Sequence, residues 1–482
     1  MLQKTAVENF LIAFAIGDAF GAGVEFQDRN WIGKNVDFTR FINMRDQIAV
    51  AEKMKPVFTE NYHEWYYTDD TEMTIGSMKA LMSGAAITPD SLVEYWQKEY
   101  KNGIERKGHP RCGHGSMRWF YDGKKTLETI RNFQKNRSNP GNAPAMRAIP
   151  FGLVDEALIN EYAAINAMAT HPNLKAVQSS KIVAQATAFF WQKDGAARDL
   201  IDHCMSVIDL DTDYSEYLRK IDQLPDYEHL TEKDYEIICG KQPIEKPYFL
   251  DGIHGLPSDS KYTAGCVLYI LKWAENPFDA LKKSIKMGGD VDSLAAITTG
   301  ILAGKYGLSS LPKFMVDSIE SKNYLKEVAA NFKIEKKLKI GVVGFSRSQF
   351  DKPMAILKLR NIFEKLVEKH GVENIEIVSG YTNAGVPRIA YQLADHFGMD
   401  TTGFSARQAL KVRSGVYPVK KIVLIGEKFG DESVCFVRYI DRLIRIGGGR
   451  QSRKEVELFK ELYTHEVLPE ILIEEEINWY AT

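Results

Sequence analysis

Apolar residues recur along the first 330 residues with the 3.6-residue period of α-helices, and alternating strand patterns are almost absent there. The clearest helical segments are 6–20, 71–82, 175–191, 262–274 and 293–306. We therefore predict an all-α domain over residues 1–330. A stretch rich in Asp, Glu, Tyr and Pro at about 208–260 interrupts the pattern, and we interpret it as an insertion within that domain.

The pattern changes after residue 336, where short runs rich in β-branched residues are each followed by a helical period. Strands alternating with helices are typical of a parallel sheet with helices on its faces. We therefore predict an α/β domain over residues 337–465, reached through a charged connector at 334–337. Strand patterns cover 338–343, 375–378, 421–425 and 442–446, and helical patterns cover 354–370, 386–397 and 454–463.

Charge divides the chain near the same point. Residues 336–460 contain 23 Lys and Arg against 13 Asp and Glu, whereas residues 461–482 contain six Glu and no Lys or Arg. We predict that residues 466–482 form an acidic tail, and the basic excess before them favours an anionic ligand for the second domain. The whole chain has a net charge of -2, which argues against sequence-independent binding to nucleic acid.

The composition is that of a globular protein: of 482 residues, 44% are hydrophobic and 26% are charged. This excludes disordered, collagen-like and coiled-coil proteins. The five cysteines lie far apart and are odd in number, so we expect no disulfide framework and a reducing, cytoplasmic compartment. A charge interrupts the N-terminal apolar run, and we expect neither a signal peptide nor a membrane-spanning segment.

Two segments combine carboxylates with hydroxyls at predicted helix starts: TDDT at 68–71 and GGDVDS at 288–293. Either segment alone fits a helix N-cap, for which one Asp or Thr suffices. Together they supply four carboxylates with no cysteine nearby, a set of oxygen donors that suits Mg²⁺ or Mn²⁺. Because so many carboxylates would repel one another without a cation, we favour a metal site.

A third acidic segment, GDAFGAGVE at 17–25, carries Asp18 and Glu25 seven residues apart. The two side chains would share one face of a helix, but the glycines disfavour a continuous helix here. Glycines also suit the close approach of a backbone to a ligand. The alternative is that Asp18 and Glu25 belong to a solvated stripe.

These motifs, in this order, resemble the ADP-ribosylglycohydrolase family over nearly the whole of residues 1–330. The matching motifs are GDA at 17–19, TDDT at 68–71, GN at 141–142 followed by AMR at 145–147, TH at 170–171 and GDVDS at 289–293. The resemblance implies an all-helical domain that binds two Mg²⁺ or Mn²⁺ ions. It also implies cleavage of the bond between ADP-ribose and a modified protein side chain or a small acceptor.

The resemblance further assigns roles to individual residues. It makes Glu25 the candidate acid/base and Asp70 a second catalytic carboxylate. The family usually has Thr at the position of Ser293, and Ser retains the hydroxyl ligand. The residues that it places at the metal ions are Thr68, Asp69, Asp70, Asp290, Asp292 and Ser293. The residues that it places at the substrate are Gly113, Gly115, Ser116, Gly141, Asn142 and His171.

Two histidine-containing segments have alternative interpretations. His109, Cys112 and His114 could suggest zinc, but three donors within six residues lack the spacing of a tetrahedral site, and we favour a loop that lines the substrate cleft. His171 precedes a proline and a helix start, where a histidine is as often a surface or capping residue.

Three strand-to-helix turns of the second domain are rich in small residues, and such turns expose N–H groups that attract anions. The domain is similar to the Rossmann-like LOG family of nucleotide phosphoribohydrolases and to the related DprA and SLOG ligand-sensing domains. Gln451 and Ser452 replace a glycine and a threonine of the LOG pattern, so we expect nucleotide binding rather than catalysis. The residues of this candidate site are Gly344, Ser346, Gly380, Gly385, Gly448, Gly449, Ser452 and Glu455.

The sequence thus predicts a metal-dependent hydrolase that acts on an ADP-ribosylated protein or on a small molecule containing ADP-ribose, with a nucleotide ligand at the second domain. A rival hypothesis is a protein that binds ADP-ribose or an NAD-derived nucleotide signal without turnover. A further alternative is a nucleotide N-glycosidase in the second domain. Release of ADP-ribose in Mg²⁺ but not in EDTA would separate the first hypothesis from the second.

Overall fold

Helices account for nearly all regular structure before residue 332 in the computed structural model, which describes residues 4–44, 62–248, 250–333, 337–346 and 349–478. The prediction of a helical first region is confirmed. The α-helices are α1 Lys4–Val24, α2 Arg29–Asn35, α3 Asp69–Met82, α4 Pro89–Lys107, α5 Gly115–Tyr121, α6 Leu127–Lys135, α7 Ala143–Met146, α8 Glu156–Met168, α9 Leu174–Trp191, α10 Leu200–Val207, α11 Thr212–Asp222, α12 Glu232–Cys239, α13 Ser260–Trp273, α14 Pro277–Ile285, α15 Asp292–Tyr306, α16 Lys313–Ser318 and α17 Lys322–Asn331. Short 3-10 helices cover Ile149–Gly152, Ala197–Asp199 and Tyr227–His229.

Helix α1 is buried along almost its whole length and packs against α15. A Cβ atom at Gly21 would lie 2.5 Å from the Cα of Asp292, and one at Gly17 would overlap the backbone of Ala295. Our expectation that these glycines interrupt the helix was therefore wrong. Without a Cβ they let two backbones approach closely, and the packing gained there offsets their poor helix propensity. As a result, α1 continues to Val24.

The segment Thr5–Val24 is also long and apolar enough to cross a membrane by length and composition. Within this fold, 89% of that window is buried inside the protein. Phe10, for example, packs edge-on against Phe14 and Trp191. Core packing thus accounts for the apolar character of α1.

Residues 208–260, which we predicted as an insertion, include two helices that pack onto α13. Tyr214, Leu218 and Ile238 are fully buried in the same hydrophobic core as α1. Downstream, Ile244 and Ile253 pack with Phe26, the residue that follows Glu25. The segment is therefore part of the helical core and also reaches the acidic region at the end of α1.

The second region is built on six parallel strands in the order β4-β3-β2-β1-β5-β6, so the predicted parallel sheet is confirmed. The first strand pairs with β2 on one side and with β5 on the other, so the strand order reverses at β1. The strands are β1 Leu338–Gly344, β2 Ile375–Ser379, β3 Asp400–Ser405, β4 Lys421–Leu424, β5 Arg442–Ile446 and β6 Leu472–Glu475. The helices are α18 Lys352–His370, α19 Gly385–Phe397, α20 Ser433–Tyr439, α21 Arg450–Glu461 and α22 Leu468–Ile471, with 3-10 turns at Val372–Asn374 and Arg407–Lys411.

The structure corrects the predicted acidic tail, because β6 lies within residues 466–482 and pairs with β5. Glu474 contacts Lys460 and Arg445, and Glu475 contacts Lys358. These basic partners neutralise the carboxylates and allow an acidic segment to join the sheet. Strand β3 and helix α20 were also missed by the sequence pattern. Of the predicted connector, residues 334–336 lie outside the described residues.

The two regions share one hydrophobic core. Helix α20 packs against α8, where the Cys435 thiol contacts the carbonyl of Ala157 at 3.0 Å. An ion pair joins Lys339 to Asp155, and the N–H of Ile422 donates to the carbonyl of Gly84 at 2.9 Å. Apolar side chains of α3, α4 and α8 are continuous with those of the sheet and α20. The sheet region is thus packed directly onto the helical region.

Candidate functional site

Asp18 fixes the first turn of α3. Its buried carboxylate accepts hydrogen bonds from the N–H and Oγ1 of Thr68 at 3.0 and 2.7 Å. It also accepts bonds from the N–H and Oγ1 of Thr71 at 3.0 and 2.6 Å. The carboxylate therefore occupies the helix N-terminus, where unpaired N–H groups favour negative charge. Asp69 and Asp70, which lie between the two threonines, are oriented by this attachment to α1.

A glycine turn places the second acidic segment beside the end of α1. Gly288 and Gly289 adopt φ angles of 71° and 77°, in the left-handed region that favours glycine. The N–H of Gly289 donates to Gln27, and the carbonyl of Gly289 accepts from Phe26. The N–H of Asp290 also donates to the carbonyl of Leu256 at 2.9 Å. Three loops are thereby joined by backbone hydrogen bonds around the acidic residues.

Carboxylates from these loops converge on one point. Oxygens of Glu25, Asp290 and Asp292 lie within 4.8 Å of one another. Burial raises the pKa of Asp70, and the side chain of Ser293, which follows Asp292 at the start of α15, lies near enough to oppose that rise. Two acidic segments more than 200 residues apart in sequence therefore meet at the end of α1.

Burial is the largest factor that raises the pKa of Asp69, to about 7, and the pKa of Asp70 well above its ordinary value. Repulsion from Asp292 and Asp18 raises both further. Burial and the nearby Asp69 also raise the pKa of Asp290. Among the described residues, the buried Oδ1 atom of Asp70 has no hydrogen-bond partner.

This donor set fits a hard divalent cation. Carboxylate and hydroxyl oxygens are the ligands that Mg²⁺ and Mn²⁺ take, and a cation would relieve the repulsion among buried carboxylates. The Thr68 hydroxyl gives its proton to Asp18, which leaves its oxygen lone pairs available to a cation. The partnerless oxygen of Asp70 is likewise available. The residues present therefore fit a metal centre.

Arg147 supplies a positive charge beneath the acidic cluster. Its guanidinium is fully buried, stacks on Trp96 at 3.8 Å and donates to Asn166 and to the Thr170 hydroxyl. Burial lowers the pKa of Arg147 to about 9, while the charges of Asp69 and Asp70 oppose the shift. The motif AMR at 145–147 thus contributes partial charge compensation for the carboxylates.

Three of the predicted substrate residues lie beside the Asp290 side of the cluster. The Asn142 amide donates to Asp290 Oδ2 at 3.2 Å. Gly141 faces His171, since a Cβ atom added there would lie 3.3 Å from His171 Nε2. Burial lowers the pKa of His171 well below its ordinary value, and its Nδ1 lies 2.8 Å from the Thr170 hydroxyl.

The other predicted substrate residues lie on the opposite flank, at Asp69. Gly113 adopts a φ angle of 98°, and a Cβ atom there would overlap the Asp69 carboxylate. Gly115 and Ser116 begin α5 in the same loop, and Gly115 has open space around its Cα. The predicted substrate residues therefore border the acidic cluster from two sides, in two groups.

Sequence reasoning missed several supporting residues. Ser258, in the segment 208–260, donates to the side-chain oxygen of Asn142 at 3.4 Å. Burial raises the pKa of Asp290, and the side chain of Ser258 opposes that rise. Glu72 and His114 bind each other beside Gly113. Nothing in the local pattern identifies Ser258, whereas a Glu inside an apolar helix such as α3 is a signal that could have been used.

The second region contains a cavity of about 430 Å³ at the carboxyl ends of its strands, where the strand order reverses. Such a reversal in an open parallel sheet is a common position for a ligand. Six of the eight predicted residues line it, whereas Gly385 and Gly448 pack beneath the turns instead. The six are Gly344, Ser346, Gly380, Gly449, Ser452 and Glu455.

Glu455 lies in a hydrogen-bonded group within this cavity. It accepts from the Ser433 hydroxyl at 3.0 Å and from the Gln451 amide at 3.1 Å. Gln451 also donates to Glu432 at 3.3 Å. Burial raises the pKa of Glu455 to about 7. Gln451, one of the two residues that depart from the LOG pattern, thus donates hydrogen bonds to both Glu432 and Glu455.

Comparisons with known proteins find similarity that covers mainly the helical region. A family model described as ADP-ribosylglycohydrolase matches residues 3–339. The chain is similar to an uncharacterized protein of Archaeoglobus fulgidus, with 24% identity over 332 residues that cover 67% of this chain and 93% of that protein. It is also similar to ADP-ribosylhydrolase ARH3 of Homo sapiens, with 23% identity over 298 residues that cover 54% and 77% of the two chains. A solved chain described as an ADP-ribosylglycohydrolase-related protein complex aligns with a TM-score of 0.46 and 15% identity, covering 69% of this chain and 98% of that one.

Proposed function

The chain belongs to the ADP-ribosylglycohydrolase family, and from that membership we propose that it hydrolyses the glycosidic bond between ADP-ribose and an acceptor. The acceptor is a modified protein side chain or a small molecule. The observation that carries this proposal is the convergence of Glu25, Asp290 and Asp292 within 4.8 Å, beside the buried Asp69 and Asp70. Binding the ribose alone would not need so many buried carboxylates, because each buried charge without a partner costs free energy.

We propose two Mg²⁺ or Mn²⁺ ions, held by Thr68, Asp69, Asp70, Asp290, Asp292 and Ser293. Divalent cations at such a site stabilise developing charge and orient hydroxyl and water oxygens. The buried carboxylates hold that arrangement in place, because Asp18 fixes the helix that carries two of them and the glycine turn fixes the others. The raised pKa values of Asp69 and Asp70 support this assignment, since a nearby cation would restore their ionised forms.

Glu25 is our candidate for proton transfer. It follows α1 directly, is 9% exposed and lies within 4.8 Å of carboxylate oxygens of Asp290 and Asp292. A carboxylate in this position can accept a proton from a water as it attacks the ribose carbon and can return the proton to the departing acceptor. Asn142 and His171 would bind ribose hydroxyls on one flank, and the loop of Gly113 would bind the pyrophosphate on the other.

The test is release of ADP-ribose from ADP-ribosylated protein and from an ADP-ribose ester, with Mg²⁺ and with EDTA. We expect release in Mg²⁺, loss in EDTA and loss in Asp290→Ala. Asp251→Ala, at an exposed position outside the cluster, is the matched control and should retain activity. Metal-independent release, or full activity of Asp290→Ala, would reject the metal site. Retention of bound ADP-ribose without release in any condition would instead favour the non-catalytic binder.

We also propose that the cavity of the second region binds a nucleotide through a Rossmann-like arrangement. Its support is the position at the strand reversal, the turn preceding α21 and the local excess of basic residues. Because Gln451 and Ser433 already engage Glu455, binding is better supported there than glycosidic cleavage.

AMP titrated by calorimetry tests this second site. Gly449 lines the cavity, and a side chain added there meets open space, so Gly449→Val should fold normally and block the cavity. We expect AMP to bind the wild-type chain and not Gly449→Val, while release of ADP-ribose by the helical region is unchanged. Equal AMP binding by both proteins would reject the cavity as the nucleotide site.

A further inference from the structure

A buried carboxylate outside the metal cluster holds the loop that faces the substrate. Glu72 is 2% exposed and lies on α3, two residues after Asp70. One of its oxygens lies 2.5 Å from His114 Nε2. Its other oxygen forms an ion pair with Arg111 Nε at 3.3 Å. Glu72 thus contacts both ends of residues 111–114, the segment that contains Gly113.

Further contacts fix the middle and both ends of this loop. The N–H of Asp69 donates to the carbonyl of Cys112 at 3.1 Å, so the first turn of α3 binds the loop backbone directly. The Arg111 guanidinium donates to the Tyr67 carbonyl at 2.9 Å and pairs with Glu320. His114 is itself enclosed by aromatic rings, with Tyr100 edge-on at a centroid distance of 5.0 Å. The loop is therefore attached to α3 at Arg111, Cys112 and His114.

The attachment of the loop to α3 fixes how closely Gly113 approaches the acidic cluster. Gly113 lies against the Asp69 carboxylate so closely that a Cβ atom would overlap it. Gly115 and Ser116 follow His114 and begin α5. The position of the loop relative to the Asp69 carboxylate is thus set in part by Glu72, which is not among the proposed metal ligands. A displacement of about 1 Å in such a positioning element can cost roughly a hundredfold in rate or affinity.

We propose that Glu72 is a positioning residue that fixes the 111–116 loop over Asp69 through His114 and Arg111, and thereby sets affinity for the pyrophosphate side of the substrate. The inference rests on the proposed function for the identity of the substrate. The role of Glu72 in ordering the loop does not depend on it. Removing the Glu72 carboxylate takes away the partner of His114 Nε2 and one of the partners of Arg111, while the Tyr67 carbonyl, Glu320 and the backbone bond to Cys112 remain. We therefore expect a single substitution to loosen the loop rather than to unfold it.

Glu72→Gln keeps the shape of the side chain and removes its charge. We expect hydrogen–deuterium exchange of peptides covering 111–116 to become at least about tenfold faster. We expect KM for an ADP-ribosylated substrate, and Kd for free ADP-ribose, to rise about tenfold or more, with kcat within about twofold of wild type. The Mg²⁺ concentration for half-maximal activity should stay unchanged, because no metal ligand is altered.

Glu99→Gln is the matched control. Glu99, on α4, is also 2% exposed, but its hydrogen bonds are to Lys79, Asn102 and the Tyr324 hydroxyl rather than to residues 111–116. It should change neither loop exchange nor KM. In a double-mutant cycle, adding His114→Gln to Glu72→Gln should produce no further rise in KM, because both act through one contact. Should Glu72→Gln not fold, His114→Gln alone carries the same test with the same expected loop exchange and KM.

The outcomes separate the inference from the proposed function. Unchanged loop exchange in a folded Glu72→Gln protein, or additive effects of the two substitutions, would overturn the positioning role. Loss of kcat with unchanged KM would also overturn it, since that result would place Glu72 in the chemical step. If the wild-type chain releases no ADP-ribose, the proposed function fails, whereas the exchange measurement still decides whether Glu72 orders the loop.

Discussion

The close approach of α1 and α15 at Gly21 gives a prediction whose sign can be worked out from the structure. In Gly21→Ala the new Cβ atom would lie 2.5 Å from the Cα of Asp292 and 3.0 Å from its nitrogen. Comfortable contacts require about 3.5–4.0 Å, so the two helices must separate by about 1 Å. Because the opposing atoms are backbone, no side-chain rotation can relieve the overlap.

Two free-energy terms compete in this substitution. Alanine gains about 1 kcal/mol over glycine within a helix. Overpacking a close-packed interior costs roughly 1–3 kcal/mol, and more where a backbone must move. We therefore expect Gly21→Ala to lower the free energy of unfolding by about 2 kcal/mol. Displacement of Asp292 should also raise the Mg²⁺ concentration needed for half-maximal stabilisation.

Gly33→Ala is the matched control, because Gly33 is also in a helix and a Cβ atom there meets nothing within 4 Å. It should be neutral or stabilising by up to about 1 kcal/mol. Urea titration of the three proteins, each with and without Mg²⁺, measures both effects. If Gly21→Ala is as stable as Gly33→Ala and binds Mg²⁺ normally, the argument that glycine is needed for helix contact at the metal cluster is wrong.

Three further predictions concern charge. Asp70→Asn removes a buried carboxylate, so the metal-free protein should gain roughly 1–3 kcal/mol in free energy of unfolding and lose its stabilisation by Mg²⁺; equal urea midpoints of the two metal-free proteins would contradict this. Burial raises the pKa of Asp18 to about 6 and that of Asp69 to about 7, so stability in EDTA should fall as the pH rises from about 4 through 7. Thermal unfolding should show this fall in EDTA and a smaller one in Mg²⁺, and a flat profile in EDTA would refute it. Burial raises the pKa of Glu455 to about 7, so AMP binding measured by calorimetry should weaken above that pH relative to Glu455→Gln; parallel pH profiles would count against a ligand phosphate near Glu455.

The acidic segments could be predicted because their chemistry is visible locally. Carboxylates and hydroxyls at helix starts are unusual enough in pairs to suggest one shared cation, and the fold brings the carboxylates of Asp290 and Asp292 together with Glu25. The helical and parallel-sheet regions could also be predicted, since hydrophobic periodicity depends on local geometry. The assignment of individual ligands and of the nucleotide cavity stays a prediction.

The remainder depended on contacts between distant parts of the chain. Gly17 and Gly21 suggested a break in α1, because their partner α15 lies more than 270 residues later. Strand β3 contains Thr401 and Thr402, and these polar residues give no hydrophobic signal for a buried strand. The Thr402 hydroxyl donates a hydrogen bond to Glu376 on the neighbouring strand. The acidic β6 pairs with β5 beside basic partners such as Arg445, which forms ion pairs with Glu474 and Glu476. Such long-range pairings leave no periodic signal in sequence.

The continuous apolar packing between α8, α20 and the sheet has a consequence for how the chain can be divided into fragments and how it unfolds. The surface of each half that contacts the other is apolar. Cutting the chain between Asn331 and Leu338 would therefore expose an apolar surface on each fragment. Fragments that are produced separately should aggregate, or should stay in solution only when both are present. We therefore expect the two halves to unfold in one cooperative transition, so that a substitution that destabilises one half also lowers the unfolding temperature of the other.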